Sequence, residues 1–285
     1  MLKHRLLSGT LMIVLLVGLA LLDGWLDGSL TAETDDDARV KATVLTALVA
    51  VVITLGGIEF SRLAAAQGLT VLNPVCTVGL ILFSTAWYWP QLVAIPQGIY
   101  LLGATAFVLA GVLIQQNRRF GTAGVMANCG ISCFCLMYLG LLSAFLLGIR
   151  IDIGLGAIVA FVLVVKSSDI GAYTFGRLFG KHKFAPRVSP GKTWEGLGGA
   201  MVVAAAVSIA FAVGFGIMGV GPALLFGMCM AVIGQLSDLA ESMLKRDAQL
   251  KDSSNRVPGF GGILDVIDSP LFAAPFAYLF FRMVG

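Results

Sequence analysis

The sequence has 285 residues, of which 58% are hydrophobic and 12% are charged, and its mean hydropathy is +0.93. Soluble domains carry about twice that charged fraction, so the composition excludes an ordinary soluble domain and predicts an all-α polytopic integral membrane protein. A formal net charge of +3 is too small to indicate a nucleic-acid partner.

Nine apolar runs predict about nine transmembrane helices, since each crossing takes about 20 residues. In chain order the runs cover residues 6–22, 40–58, 71–89, 92–114, 123–147, 153–167, 196–217, 221–237 and 269–284. The first run resembles a signal peptide, but its length and the lack of a small-residue cleavage site favour an uncleaved helix. The sixth, eighth and ninth runs are short, so eight or ten helices are alternatives.

The placement of lysine and arginine predicts the orientation. With a cytoplasmic N-terminus, fifteen of the 19 basic residues fall in inner segments and four in outer segments, as the positive-inside rule requires. Two long polar loops, 166–195 and 238–268, then face the cytoplasm. The chain is accordingly predicted to comprise a helical scaffold, 1–150, and a catalytic region, 151–285.

The loop formed by residues 238–268 concentrates acids, bases and glycines beside the membrane. Asp238, Ser242 and Lys245 are spaced to share one helical face, and Asp265 and Asp268 are three residues apart before the last helix. Two acidic groups at helix ends predict a Mg²⁺ site, because Mg²⁺ prefers a few carboxylates together with waters and substrate phosphates. The alternative is that these acids only solvate helix ends and pair with nearby bases.

The loop formed by residues 166–195 is basic. It begins just before Asp169, which directly follows an apolar run. Arg177 and Lys192 belong to a stretch of five basic residues with interleaved aromatic side chains. Such a stretch can attract phosphates or lipid headgroups, and the alternative is the ordinary positive-inside excess. Only two histidines occur, which suits a phosphate monoester nucleophile, because its second pKa near 6 removes the need for an enzymatic base.

Both loops resemble those of the phosphatidate cytidylyltransferases, also called CDP-diacylglycerol synthases. The family patterns Ser-x-x-Lys-Arg, Lys-Asp-x, Pro-x-His-Gly-Gly and Asp-Arg-x-Asp correspond to residues 242–246, 251–253, 258–262 and 265–268, and the upstream loop corresponds to 169–196. The resemblance is clear over about residues 150–285. Phe260 replaces the family's histidine and Val266 its arginine, which removes a donor and a cation from the phosphate neighbourhood. A less active or specialised relative is therefore an alternative to a fully active enzyme.

The resemblance implies a nucleotidyltransferase of phospholipid biosynthesis that converts CTP and phosphatidate into CDP-diacylglycerol and pyrophosphate. It implies one or two Mg²⁺ ions on Asp238, Asp265 and Asp268, and a catalytic set of Asp238, Ser242, Lys245 and Asp265. The substrate-binding residues that it implies are Lys192, Arg246, Lys251, Asp169 and Arg177. It further implies a homodimer in the inner (plasma) membrane with the active site facing the cytoplasm.

Two other functions remain open at this point. A CTP-dependent lipid or polyprenol kinase would use the same nucleotide but transfer its γ-phosphoryl group. An ion or solute transporter would need functional charges near the bilayer midplane, whereas the acids here cluster at predicted helix ends.

Overall fold

The computed structural model describes residues 2–30, 40–250, 253–254 and 261–284, with residues 2–12 described by their backbone alone. The elements in this part of the chain are helical. They are α1 (Leu2–Leu26), α2 (Thr43–Ala66), α3 (Asn73–Ser84), α4 (Trp89–Val93), α5 (Gln97–Phe120), α6 (Val125–Cys135), α7 (Leu142–Gly148), α8 (Leu155–Phe179), α9 (Trp194–Phe215), α10 (Val220–Asp247) and α11 (Leu264–Val284). Two π-helical segments, Leu136–Leu141 and Ile149–Ile153, continue α6 and α7.

Seven helical stretches within the described residues are long and apolar enough to cross a membrane. They are Thr43–Ala66, Gln97–Phe120, Val125–Ile153, Leu155–Phe179, Trp194–Phe215, Val220–Asp247 and Leu264–Val284. Two shorter apolar helices, Ile13–Leu26 and Asn73–Ser84, accompany them. The predicted all-α polytopic class is confirmed, and about nine helices agrees with this set. The predicted orientation stays a prediction.

Two predicted loop boundaries require correction. The segment predicted as a loop from residue 166 is helical as far as Phe179, and the one predicted from residue 238 is helical as far as Asp247. Helices here do not end where the apolar run ends, because packing against neighbouring helices continues beyond it. Asp169 and Asp238 therefore lie about 15 Å and 13 Å before the ends of their helices, at 1.5 Å per residue.

Small residues allow α8, α9 and α10 to pack closely, as is common between membrane helices. A Cβ added at Gly171 of α8 would lie 2.8 Å from the carbonyl oxygen of Gly199, and one at Gly227 of α10 would collide with the backbone of Ala204 and Ala205. These contacts bring together the helices that carry Asp169 and Asp238.

The stretch Val125–Ile153 is a helix interrupted by π-helical turns. Such turns insert an extra residue, re-aim the side chains around them and occur frequently at functional sites. Tyr138 lies in the first of them, and its side chain is buried.

A buried ion-pair network closes the bundle at the end where α8 begins. Arg150, which is 1% exposed, donates from Nε to Asp23 at 3.0 Å and also pairs with Asp27. Asp23 and Asp27 are themselves buried as partners of this guanidinium. A buried charge requires such partners.

Candidate active site

Lys192 reaches the site from the turn that precedes α9. Residues Ser189 to Lys192 form a turn closed by a hydrogen bond from Lys192 N to Ser189 O at 3.2 Å. Thr193 then caps α9 by accepting a hydrogen bond from Gly196 N at 3.1 Å, a common way to satisfy a free amide at a helix start. This fixed turn directs the Lys192 ammonium toward α10, where it donates to Gln235 O at 3.0 Å.

Asp238 is the point at which three parts of the chain meet. Its Oδ2 accepts from Lys192 Nζ at 2.7 Å and its Oδ1 accepts from Ser269 Oγ of α11 at 2.7 Å. The structure thus brings together two residues, Lys192 and Asp238, that the sequence analysis took from different loops.

Asp268 and Lys166 complete this group of charges. Asp268 is buried, accepts from Ser269 N at 2.6 Å, and lies within electrostatic range of Asp238, Asp169 and Lys166. Lys166 Nζ lies 3.5 Å from Asp169 Oδ2 and donates to Val266 O at 3.0 Å. The Val266 carbonyl has no hydrogen-bond partner within α11, because Pro270, four residues later, has no N–H to donate to it. We call Lys166, Asp169, Lys192, Asp238 and Asp268 the Asp238 cluster.

A second group lies one to two turns further along α10. Lys245 Nζ pairs with both Glu241 and Asp265, each at 2.6 Å. Asp265 Oδ2 also accepts hydrogen bonds from Gly262 N at 2.6 Å and from Ser253 N at 3.0 Å. The predicted catalytic residues Lys245 and Asp265 are therefore in direct contact.

Glu59 of α2 joins this second group from the opposite half of the chain. Its carboxylate accepts from Ser253 Oγ at 3.1 Å and from Leu264 N at 3.0 Å. We call Glu59, Glu241, Lys245, Ser253 and Asp265 the Asp265 cluster.

The other predicted site residues lie outside these two clusters or outside the described residues. Ser242 is half-buried on α10, and Arg246 is exposed in its last turn. Arg177 is on α8, where its guanidinium donates to the hydroxyl of Tyr173 at 3.0 Å on the exposed surface. Lys251 and Phe260 fall outside the residues that the structure describes.

Together the two clusters carry six carboxylates and three lysines. The carboxylates are those of Glu59, Asp169, Asp238, Glu241, Asp265 and Asp268, and the lysines are Lys166, Lys192 and Lys245. The clusters therefore hold a formal excess of three negative charges in a region where charge is costly. A cation would offset that excess.

The donor set fits Mg²⁺ in part. Asp169 Oδ1 and Glu241 Oε1 are buried without a hydrogen-bond partner in the described part of the chain, so oxygens remain to bind a cation. Within the same residues, no three acid, histidine or cysteine side chains are grouped closely enough to hold a metal by themselves. Mg²⁺ often binds through one or two carboxylates plus substrate phosphates, so the arrangement suits an ion that arrives with a nucleotide.

Tyr138 presents a buried hydroxyl to the same region. The residue is 6% exposed, its hydroxyl has no partner among the described residues, and Asp238, Glu241 and Asp268 lie within electrostatic range of it. A phenol next to three carboxylates that bonds to none of them is free to donate to a bound group.

Four residues of these clusters were not predicted as site residues from the sequence: Glu59, Lys166, Glu241 and Ser253. Tyr138, which lies beside the clusters, was not predicted either. Glu59 could have been predicted from the sequence, because an acid next to an apolar run is costly and is often functional. Tyr138 could not, since tyrosine is common within apolar runs.

A separate cavity of about 280 Å³ lies between α3, α4 and α5. Its lining residues are Leu82, Trp89, Pro90, Val93, Ile95 and Tyr100. The lining is apolar and contains none of the cluster residues, so this cavity is unsuited to a nucleotide.

The sequence matches the cytidylyltransferase family over residues 38–284. The phosphatidate cytidylyltransferase of Staphylococcus haemolyticus is 34% identical over 260 residues, which cover 83% of this chain and 96% of the relative. The enzyme of the same name from Brucella suis is 33% identical over 267 residues, covering 85% and 93%. That of Bacillus subtilis is 38% identical over 174 residues, covering 59% and 61%.

Proposed function

Because this chain belongs to the cytidylyltransferase family, we propose that it transfers the cytidylyl group of CTP to phosphatidate. The products are CDP-diacylglycerol and pyrophosphate, as in membrane phospholipid synthesis. The observation that carries the proposal is the coincidence of sequence and geometry: the motif residues Lys192, Lys245 and Asp265 form ion pairs with one another or with Asp238 at 2.6 to 2.7 Å.

In the proposed reaction a phosphate oxygen of phosphatidate attacks the α-phosphorus of CTP. A new P–O bond forms while the bond from the α-phosphorus to the bridging oxygen breaks, and pyrophosphate leaves with the electron pair. The lipid phosphate is mostly a dianion at neutral pH, so no side chain has to remove a proton. Positioning and charge neutralisation then supply most of the catalysis.

Lys192 and Lys245 are placed to neutralise phosphate charge. Both side chains are 13% exposed and contact carboxylates at 2.6 to 2.7 Å. Phosphate oxygens compete for the same N–H donors in charge-assisted hydrogen bonds. Arg246, Lys251, Asp169 and Arg177 stay proposals for binding the nucleotide and the lipid headgroup, and Ser242 for a hydrogen bond to phosphate.

Asp238 and Asp265, with Asp268, would hold one or two Mg²⁺ ions, which when bound neutralise the triphosphate and polarise its phosphorus–oxygen bonds. The excess of carboxylates in the two clusters supports this proposal, as do the unpartnered oxygens of the neighbouring acids Asp169 and Glu241. Its measurement is the binding of Mn²⁺, a paramagnetic substitute for Mg²⁺, to purified protein with and without CTP. We expect tighter binding with CTP, and equal binding by an Asp238→Asn/Asp265→Asn variant would contradict the assignment.

The chain is a multi-pass membrane protein, and we propose that it resides in the inner membrane with its N-terminus and active site in the cytoplasm. The distribution of basic residues supports this orientation. We also propose a homodimer, on the strength of the family resemblance. Cysteine accessibility from each side and the mass of the protein in detergent test these two statements.

Two labelled nucleotides test the reaction itself. Purified protein in mixed micelles with phosphatidate should place label in lipid from CTP labelled at the α-phosphorus and release the label of γ-labelled CTP as pyrophosphate. Lipid labelled from the γ-phosphorus would instead identify a CTP-dependent lipid kinase. No labelled lipid from either nucleotide would contradict both enzymes and favour a transporter.

A further inference from the structure

Glu59 is a buried acid whose environment is unusual for a transmembrane helix. It lies on α2, within a membrane-spanning stretch, and its exposed fraction is 0%. It forms no ion pair with a described residue, and its hydrogen-bond partners there are hydroxyl and backbone N–H groups. A carboxylate in this position costs free energy, and such residues usually have a function.

The carboxylate of Glu59 caps the start of α11. The first amides of a helix have no partner within the helix, and Glu59 Oε2 accepts one of them, Leu264 N, at 3.0 Å. Ser254 Oγ donates to Glu59 Oε1 at 2.7 Å. The positive end of the helix dipole also favours an acid at this point. A side chain from α2 thus fixes the first turn of α11, which carries Asp265 and Asp268.

Ser253 links Glu59 directly to Asp265. Its hydroxyl lies 3.1 Å from Glu59 Oε2 and 2.9 Å from Asp265 Oδ2, and its backbone N–H donates to the same Asp265 oxygen at 3.0 Å. A shift of the Glu59 carboxylate would therefore move a donor of Asp265.

Two glycines make this close approach possible. Gly261 has a φ of +104°, which a residue with a side chain rarely adopts. A Cβ at Gly262 would collide with both Ser253 Oγ and the Glu59 carboxylate. The turn before α11 is thus shaped around Glu59.

We infer that Glu59 is a positioning residue of the active site: from the amino-terminal half it caps α11 and, through Ser253, orients Asp265 for the reaction. This inference rests on the proposed function, because it assigns Asp265 to that chemistry. Glu59 itself touches no substrate in this scheme.

The test compares Glu59→Gln, Ser253→Ala and the double variant. Glutamine keeps the shape of Glu59 but removes its charge and turns one acceptor into a donor, so the bond to Leu264 N is weakened and the Ser254 hydroxyl has to accept where it now donates. We expect kcat for CDP-diacylglycerol formation to fall by about 10- to 100-fold, as for other residues that orient an active-site group, with KM for CTP and phosphatidate little changed. Because both residues act through one link, the double variant should lose no more kcat than Glu59→Gln alone.

Hydrogen exchange supplies a readout that does not depend on activity. Amides of residues 261–268 should exchange faster in Glu59→Gln than in wild type, and binding of Mn²⁺ in the presence of CTP should weaken. Thr46→Val is the matched control, because Thr46 is a buried residue of the same helix whose hydroxyl has no partner in the described residues. It should match wild type in every measurement.

Three results would overturn the inference: wild-type kcat in Glu59→Gln, additive losses in the double variant, or an unfolded Glu59→Gln alongside a fully active Ser253→Ala. These results differ from failure of the proposed function, which wild type and Thr46→Val would reveal by making no CDP-diacylglycerol at all.

Discussion

Asp238 connects the turn before α9 with α10 and α11, since its two carboxylate oxygens accept from Lys192 and Ser269. Removing its charge takes away the carboxylate that pairs with the Lys192 ammonium and reduces the negative potential available to a cation. Its role therefore depends on charge more than on shape.

We expect Asp238→Asn to lower kcat by about 100-fold or more, the range found when one electrostatic contact to a transition state is removed. The assay is incorporation of α-labelled CTP into lipid. Asp152→Asn is the control, because Asp152 accepts hydrogen bonds from Trp87 and Tyr278 and, among the described residues, forms no hydrogen bond or ion pair with either cluster. Equal losses in the two variants would point to general destabilisation instead.

The Tyr138→Phe variant tests whether the Tyr138 hydroxyl contributes to the reaction or only to the structure. A buried hydroxyl without a partner costs free energy, so its removal should leave the melting temperature in detergent unchanged or raised. We expect kcat to fall about tenfold nevertheless, because the hydroxyl is placed to donate to a bound group. A variant with full activity would show that this donor is not used.

Some residues of the two clusters can be predicted from the sequence and others cannot. Asp238, Lys245, Asp265 and Asp268 stand out because charges beside apolar runs are visible in the chain itself. Glu59 and Leu264 are 205 residues apart, and helical periodicity says nothing about which distant helices touch. Their contact becomes evident only from the packed structure.

At the scale of the helices, the close contact between α8 and α9 determines where Asp169 and the turn carrying Lys192 lie relative to each other. Neighbouring glycines on α9 differ sharply in their surroundings. A Cβ at Gly199 would collide with the Phe175 side chain, whereas a Cβ at Gly198 has nothing within 4 Å.

We expect Gly199→Ala to destabilise the protein by about 1–3 kcal/mol, the usual cost of overpacking. Gly198→Ala should be neutral or stabilising by up to about 1 kcal/mol, because alanine favours a helix more than glycine does. Unfolding in mild detergent measures both. Equal behaviour of the two variants would contradict the packing of α8 against α9.

The helices themselves were predictable and their ends were not. Apolar runs identify membrane helices because unsatisfied backbone groups are so costly in the bilayer. They do not show that α8 continues to Phe179, since the polar residues 166–169 interrupt the apolar run in the middle of the helix. The π-helical turns around Tyr138 also depend on packing and have no pattern in the sequence that would predict them.

At the scale of the whole molecule, the two buried charge networks lie far apart. Arg150 precedes α8, and Asp169 lies about 21 Å along that helix at 1.5 Å per residue. The Arg150 network is thus suited to stability, independently of the active site. Burial raises the pKa of Asp27 there, but hydrogen bonds from Ser29 and the charge of Arg150 outweigh it and hold the pKa below the ordinary 3.8.

A lowered pKa means that the Asp27 charge stabilises the fold at neutral pH and that this contribution disappears as the pH falls below 3.8 through the folded-state pKa. We expect Asp27→Asn to cost about 1–3 kcal/mol at pH 7 and progressively less in more acidic buffer. Melting temperatures of both proteins between neutral and acidic pH measure the difference. A difference that stays constant with pH would contradict the assignment.

The lysines that contact Asp238 and Asp265 give substrate binding the character of ion exchange. Without a nucleotide, Lys192 and Lys245 serve as internal counterions of these carboxylates. A nucleotide that enters with its own divalent cation supplies a replacement positive charge to the acids and a negative charge to the lysines at the same moment. The cation offsets part of the charge of the nucleotide, so neither ion has to be desolvated alone.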